Sequence, residues 1–201
     1  ENYSEYLNRE KKLRVIFRGI NVDYFNSKNI SALKQEKLKQ EWNLSSNKFT
    51  ILLPGRLTYW KGHEKFIESL NILIEDYNFS NFQAIILGSD QGRKVYAKKL
   101  INLVERYNLN KKVKFIQHCK EMPLAYSLAD VVVSASIEPE AFGRVSVEAQ
   151  SMGRAIIASN IGGSKETVID NKTGLLFDSG NPKSLCDKLD EIIKLDSLTL
   201  D

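Results

Sequence analysis

The sequence predicts an α/β fold in which a parallel sheet is covered by helices on both faces. Three observations lead to it. Short continuous apolar runs recur at 49–53, 83–88, 113–117, 130–136, 155–159 and 174–177, as expected of strands buried on both sides. Charged segments with apolar residues at helical spacing lie between them, and that alternation is the signature of a parallel sheet. The 201 residues are 42% hydrophobic and 27% charged, which is ordinary globular composition and excludes a disordered or collagen-like chain.

The elements follow in order. Residues 1–12, ENYSEYLNREKK, are polar and aromatic without a clear period and read as an N-terminal extension or interdomain segment. Residues 13–201 read as one domain, since no linker, repeat or low-complexity tract divides them. LRVIF (13–17) is a short apolar run that ends at Gly19. SALKQEKLKQEW (31–42) is helix-prone, with Ser31 placed to cap it. FTILL (49–53) is a strand closed by Pro54 and Gly55. Phe66, Ile67, Leu70, Leu73, Ile74 and Tyr77 then mark an amphipathic helix over 61–77. After the strand 83–88, Val95, Leu100, Leu103, Val104 and Tyr107 mark a helix over 94–107. VKFIQ (113–117) is a strand, and MPLAYSLA (122–129) a short helix with Pro123 in its first turn. DVVVSAS (130–136) and AIIAS (155–159) are strands around a helix at 144–152, and Ser164 is placed to cap a further short helix. GLLF (174–177) is the last strand, followed by a helix at about 182–194 that opens at Pro182. In such a Rossmann-like sheet, ligands bind at the carboxyl ends of the strands. The loops after 53, 88, 117, 136 and 159 therefore matter most.

Charge and cysteine content narrow the partners. Twenty-nine Lys and Arg against 25 Asp and Glu leave a net charge of +4, too small and scattered to argue for nucleic acid. An acidic small molecule suits it, and so does peripheral contact with an anionic membrane, although no basic amphipathic helix demands the latter. Cys119 and Cys186 form no CxxC pair and no metal-ligand cluster, which fits a reduced, cytosolic protein without structural zinc. No apolar run approaches the roughly 18 residues of a membrane span. The N-terminus has no apolar signal region and no initiator Met, so a fragment of a longer protein is expected. The high Asn, Lys and Ile content points to an AT-rich bacterial genome.

Two loops carry the chemistry. PGRLTYWKG (54–62) sets Arg56 and Lys61 at the end of a buried strand and the mouth of a helix. A guanidinium fork, a mobile ammonium and a helix N-terminus together suit a diphosphate, although spacing alone equally allows two solvated loop charges. EPEAFGRVSVEAQ (138–150) opens a helix near Gly143, so the amides of Gly143, Arg144 and Val145 are expected to face out of the strand ends as an anion site. Glu148 lies five residues further, about 7 Å along the helix axis. Its neighbours Val145, Val147 and Ala149 are apolar, so burial with a partner is expected, and a carboxylate there can accept from a vicinal diol such as ribose. Glu140, eight residues before Glu148, lies where it can meet sugar hydroxyls, with Glu138 as an alternative loop acid. In NIGGSKE (160–166), Gly162-Gly163 permits close backbone approach, and Glu166 can brace the loop. A plain turn accounts for that segment equally well.

Other chemistries lack their signatures. No GxGxxG, GxxxxGK[ST] or GxSxG pattern occurs, and His63-Glu64 is not HExxH because residue 67 is Ile67. His118, after the strand 113–117, has no acid or serine arrangement that marks a triad.

Taken in order, these segments resemble a family. GRLTYWKG (55–62), Glu140 and Glu148 in EAFGRVSVEA (140–149), GGSKE (162–166) and the trailing GLLF are similar to the carboxyl-terminal half of the GT-B glycosyltransferases of family four, a large retaining class. VIFRGINVDYF (15–25) is similar to the segment by which that family enters its second domain, usually written VIPNGID. Phe17-Arg18 departs from its Pro-Asn, and Ala141 stands where Pro or Gly is frequent.

The resemblance implies a donor-binding domain that takes a nucleotide diphosphate sugar and transfers the sugar, without a metal or other cofactor, to an unknown acceptor. Position by position, it implies that Arg56 and Lys61 hold the diphosphate and that Glu140 touches the transferred sugar. Glu148 would bind the ribose, and the backbone of Phe142, Gly143, Arg144 and Val145 would line the sugar and phosphate site. It also implies a separate amino-terminal domain for the acceptor, and attachment at the inner membrane where that acceptor is a lipid. Two other readings stand beside it: a GT-B nucleotide-sugar epimerase, and a non-catalytic α/β interaction module. The module has no reason to keep Arg56, Lys61, Glu140 and Glu148 in register.

Overall fold

The structure is a computed structural model that describes residue 16 and residues 18–198. The expected extension at 1–12, and the apolar run 13–17 apart from the exposed Ile16, lie outside the described residues. Six strands form one parallel sheet: β1 (Phe49–Pro54), β2 (Phe82–Leu87), β3 (Val113–Ile116), β4 (Val131–Ser134), β5 (Ala155–Ser159) and β6 (Leu175–Phe177). Their order across the sheet is β3-β2-β1-β4-β5-β6. The helices are α1 (Ala32–Glu41), α2 (His63–Glu75), α3 (Lys94–Arg106), α4 (Met122–Ser127), α5 (Arg144–Ser151), α6 (Ser164–Thr167) and α7 (Pro182–Leu198), with short 3₁₀ turns at Ser27–Asn29 and Tyr59–Lys61.

The two-residue period of a strand explains the continuous apolar runs. Ile51, Leu53, Ile86 and Val133 join one apolar layer with Leu70 and Leu73 of α2 and Leu185 and Leu189 of α7. Leu52, Ile85 and Val132 join the opposite layer with Leu38 of α1, Tyr126 of α4 and Ala149 of α5. Each central strand must therefore be apolar on both sides. In α2, Phe66, Ile67, Leu70 and Leu73 are fully buried, each contributing about 1.5–3 kcal/mol of transfer free energy.

The entry to α2 depends on Gly62. It caps the helix at φ 70°, and a Cβ there would stand 1.8 Å from the Ala135 carbonyl oxygen. The loop after β1 therefore lies directly on the end of β4. The same contact is fastened by the Ile137 amide, which donates to the Trp60 carbonyl at 2.8 Å.

Some boundaries differ from the sequence expectations. The stretch 59–61 is a 3₁₀ turn, so the helix predicted over 61–77 begins at His63. Strand β4 ends at Ser134 because the chain turns off toward Trp60. Val95 was placed on the apolar face of α3 but is 87% exposed. Five residues before the buried Leu100, it lies about 140° around the helix from it. Ser31 caps α1 as expected, accepting from the Lys34 amide. Ser164 does not cap α6: Gly163 holds that position, its amide tied to the Glu140 carbonyl, and Ser164 is the first helical residue.

Candidate active site

Strands β1 and β4 are neighbours in space although two strands separate them in sequence. There the strand order reverses, the loops leave in opposite directions, and a crevice opens at the carboxyl ends. A cleft of about 360 Å³ occupies this position. Gly55, Arg56, Trp60 and Lys61 line one wall, and Glu140, Phe142, Gly143, Arg144, Val145 and Glu148 the other. All eight residues nominated from the sequence are thus brought together, with Arg18, Met122 and Tyr126 at the margin. A larger hollow of about 450 Å³ lies near the amino ends of β1 and β2. There Gln83 bonds to Thr50 and to Ser45, so its amide is spent on the fold.

On the first wall the two cations share an aromatic plate. The Lys61 ammonium lies 4.6 Å from the centre of the Trp60 ring and the Arg56 guanidinium carbon 6.0 Å from it, both within reach of the ring's negative face. Arg56 is exposed, whereas Lys61 is not a free cation. Its Nζ donates to Glu140 Oε2 at 2.7 Å, and the two side chains are only 14% and 19% exposed. The Ser136 hydroxyl donates to the other oxygen of Glu140.

Glu140 is also fixed through its backbone. Its carbonyl accepts from the Gly163 amide at 2.7 Å. Gly162 has φ +56°, and a Cβ on it would stand 2.7 Å from the Glu140 backbone. The close approach that Gly162-Gly163 permits is therefore used to seat the acid. Glu166 and His118 are exposed and do not line the cleft.

On the second wall, α5 begins at Arg144 after Gly143, which supplies no side-chain cap. The first amides of the helix are left for an outside acceptor, at the positive end of the helix dipole. Glu148 is 5% exposed, as its apolar neighbours foretold. The partner expected for a buried carboxylate is found on both of its oxygens. Tyr126 donates to Oε2 at 2.7 Å, and Arg144 donates to Oε1 through Nε at 3.1 Å and Nη2 at 2.8 Å. Burial, reinforced by the Glu148 charge and hydrogen bond, holds the Tyr126 phenol well above its ordinary pKa, so it stays a donor.

Sequence reasoning missed Trp60, Met122 and Tyr126 as lining residues. Trp60 sits inside the nominated loop, where an aromatic between two cations is the available signal. Tyr126 lies in MPLAYSLA, which reads as core; only its phenol oxygen marks it. Glu138, the alternative acid, is exposed and accepts from the Tyr59 hydroxyl. His63 is buried behind the first loop with Nδ1 3.3 Å from the Thr58 carbonyl oxygen. Its pKa is lowered to about 4, chiefly by burial. Among the described residues, no group of three His, Cys, Asp or Glu side chains is arranged to hold a metal, and no helix is long and apolar enough to cross a membrane.

A six-stranded parallel sheet with a cationic cleft at its switch point defines a Rossmann-like α/β domain. Residues 34–200 match the family described as glycosyl transferases group 1, and the chain belongs to that family. It is 27% identical over 180 residues to a D-inositol 3-phosphate glycosyltransferase of Corynebacterium glutamicum, covering 89% of this chain and 42% of that protein. The structure is similar to a glycosyltransferase from Rickettsia africae, with TM-score 0.87 and 32% identity over 96% of this chain and 51% of that one. It is also similar to HepE of Anabaena in complex with UDP and glucose, with TM-score 0.81 and 29% identity over 90% of this chain and 47% of that one. The fold is accordingly one Rossmann-like half of the GT-B type, and the chain spans about half the length of the relatives it matches.

Proposed function

We propose that this chain binds a nucleotide diphosphate sugar as the donor half of a retaining glycosyltransferase. One observation carries the reading: Arg56, Lys61, Glu140, Glu148 and the start of α5 converge on a single cleft at the switch point of the sheet. In this reading the diphosphate lies between the two cations and the amides of Gly143, Arg144 and Val145. These groups neutralise the negative charge that grows on the leaving diphosphate as the sugar bond breaks. Lys61, already bound to Glu140, bridges the phosphate and sugar ends of the donor. Glu140, fixed by Lys61 and Ser136, meets the transferred sugar, and Phe142 lines that end. Glu148 accepts from the ribose. The acceptor is held by a separate domain, and it decides whether the whole enzyme works at a membrane surface in the cytoplasm. A UDP-bound neighbour of the same fold supports a nucleoside diphosphate as the ligand class.

Calorimetric titration of the chain with UDP, GDP and ADP tests this. One of the three is expected to bind, with sugar transfer slow in the chain alone. Absence of heat for all three at millimolar concentration would overturn the proposal. Product analysis with the complete protein separates transfer with retained configuration from epimerisation of the donor.

A further inference from the structure

The two partners of Glu148 differ in kind, and the difference gives them different roles. Tyr126 is fully buried. Its ring belongs to the apolar layer formed with Phe25, Leu124 and Ala149 and meets Phe25 edge-on at 6.1 Å. From that fixed seat its hydroxyl reaches Glu148 Oε2 at 2.7 Å. Moving it would empty a core position, which a packed interior resists. Arg144 reaches the other oxygen, Oε1. It sits one turn earlier on the same helix, and its side chain is 64% exposed. Only the arginine end of this pair is exposed, the Glu148 side chain being 6% exposed, so the guanidinium can swing into solvent and give way to a competing donor without emptying a core position. A carboxylate has about four lone-pair sites, so a diol can take Oε1 from Arg144 while Tyr126 stays in place.

We propose that Tyr126 is a positioning residue for the nucleotide's ribose: its buried hydroxyl fixes the Glu148 carboxylate toward the cleft, and Arg144 is the exchangeable partner that the ribose replaces. This rests on the reading of Glu148 as the ribose acceptor. Without the phenol, the carboxylate keeps only a mobile, solvent-exposed partner and is free to follow it out of the cleft. With the phenol, the acceptor geometry exists before the nucleotide arrives, and the cost of ordering it is not charged to binding.

The test compares the nucleoside diphosphate selected by the screen above with its 2′,3′-dideoxy analogue and with inorganic pyrophosphate, on the wild-type chain, Y126F and R144A. Hydrogen bonds from two hydroxyls to a buried carboxylate predict a wild-type preference for the ribose form of about tenfold or more. Y126F is expected to cut that preference to about threefold or less while pyrophosphate affinity is kept, because only the ribose part of the site is loosened. General damage to the fold would weaken pyrophosphate as well. R144A is expected to keep or raise the preference, since Tyr126 remains and the partner that the ribose displaces is gone.

A wild-type preference that survives intact in Y126F overturns the role of Tyr126 alone. So does an R144A protein that has lost it, an outcome that overturns the role even if Y126F is too unstable to titrate. A wild-type chain that binds the diphosphate but does not distinguish the two sugars overturns the ribose reading itself, and the Tyr126 role with it.

Discussion

At the scale of the residue, the two cations of the cleft are not equivalent. Arg56 is exposed, with its guanidinium carbon 6.0 Å from the centre of the Trp60 ring. Lys61 is mostly buried and holds Glu140 at 2.7 Å. R56A is therefore expected to weaken nucleoside diphosphate and pyrophosphate binding while leaving stability within about 0.5 kcal/mol of the wild type. K61A is expected to weaken the same ligands and also to destabilise the fold by about 1–3 kcal/mol, because it strands a half-buried carboxylate. Calorimetry paired with urea unfolding reads both quantities. Equal stability losses in the two variants would contradict the difference in their surroundings. The sequence could nominate both lysine and arginine from residue type and position, but it could not say which was already engaged. That depends on Glu140, which lies 79 residues away along the chain.

At the scale of the element, the cleft exists because two loops from non-consecutive strands rest on each other. Gly62 is the point of contact. G62A demands both a left-handed backbone on a residue with a Cβ and a displacement of the Ala135 carbonyl, which the added atom would meet at 1.8 Å. The strain alone costs about 1–3 kcal/mol. The displacement adds to it and moves the loop carrying Arg56 and Lys61 away from β4. The expected outcome is a fall in melting temperature of roughly 5 °C or more, together with weaker diphosphate binding. An unchanged melting temperature would show that the end of β4 can give way. Most of the elements were legible in the sequence because their apolar periods are local. The errors fell at the ends, where tertiary contacts decide. The strand expected over 130–136 stops at Ser134, beyond which the Ile137 amide bonds to the Trp60 carbonyl, and the Glu140 carbonyl rather than a serine side chain fixes the start of α6.

At the scale of the whole molecule, acid stability follows from His63. Buried and neutral, its pKa is lowered to about 4 by loss of solvation, while in the unfolded chain it returns to about 6.5. Between those values the unfolded state binds more protons, so stability rises with pH. The contribution is complete above about 6.5 and is lost as pH falls toward 4. The difference is worth on the order of 3 kcal/mol. Unfolding midpoints of the wild type should therefore fall more steeply over that window than those of His63→Asn, which does not titrate. Parallel curves for the two proteins would remove His63 from the account.

The strands, the helices and the chemistry-bearing loops were determined by the sequence alone. Continuous apolar runs can be satisfied only in a sheet covered on both faces, and cations, acids and glycines cluster in segments that such a sheet sends to one edge. The tertiary structure decided the order of the strands, and with it that the loops after β1 and β4 face each other. It also decided the pairings of Lys61 with Glu140 and of Tyr126 and Arg144 with Glu148. Which side chains meet across a crevice depends on how distant segments pack, and neither periodicity nor spacing within one segment carries that information.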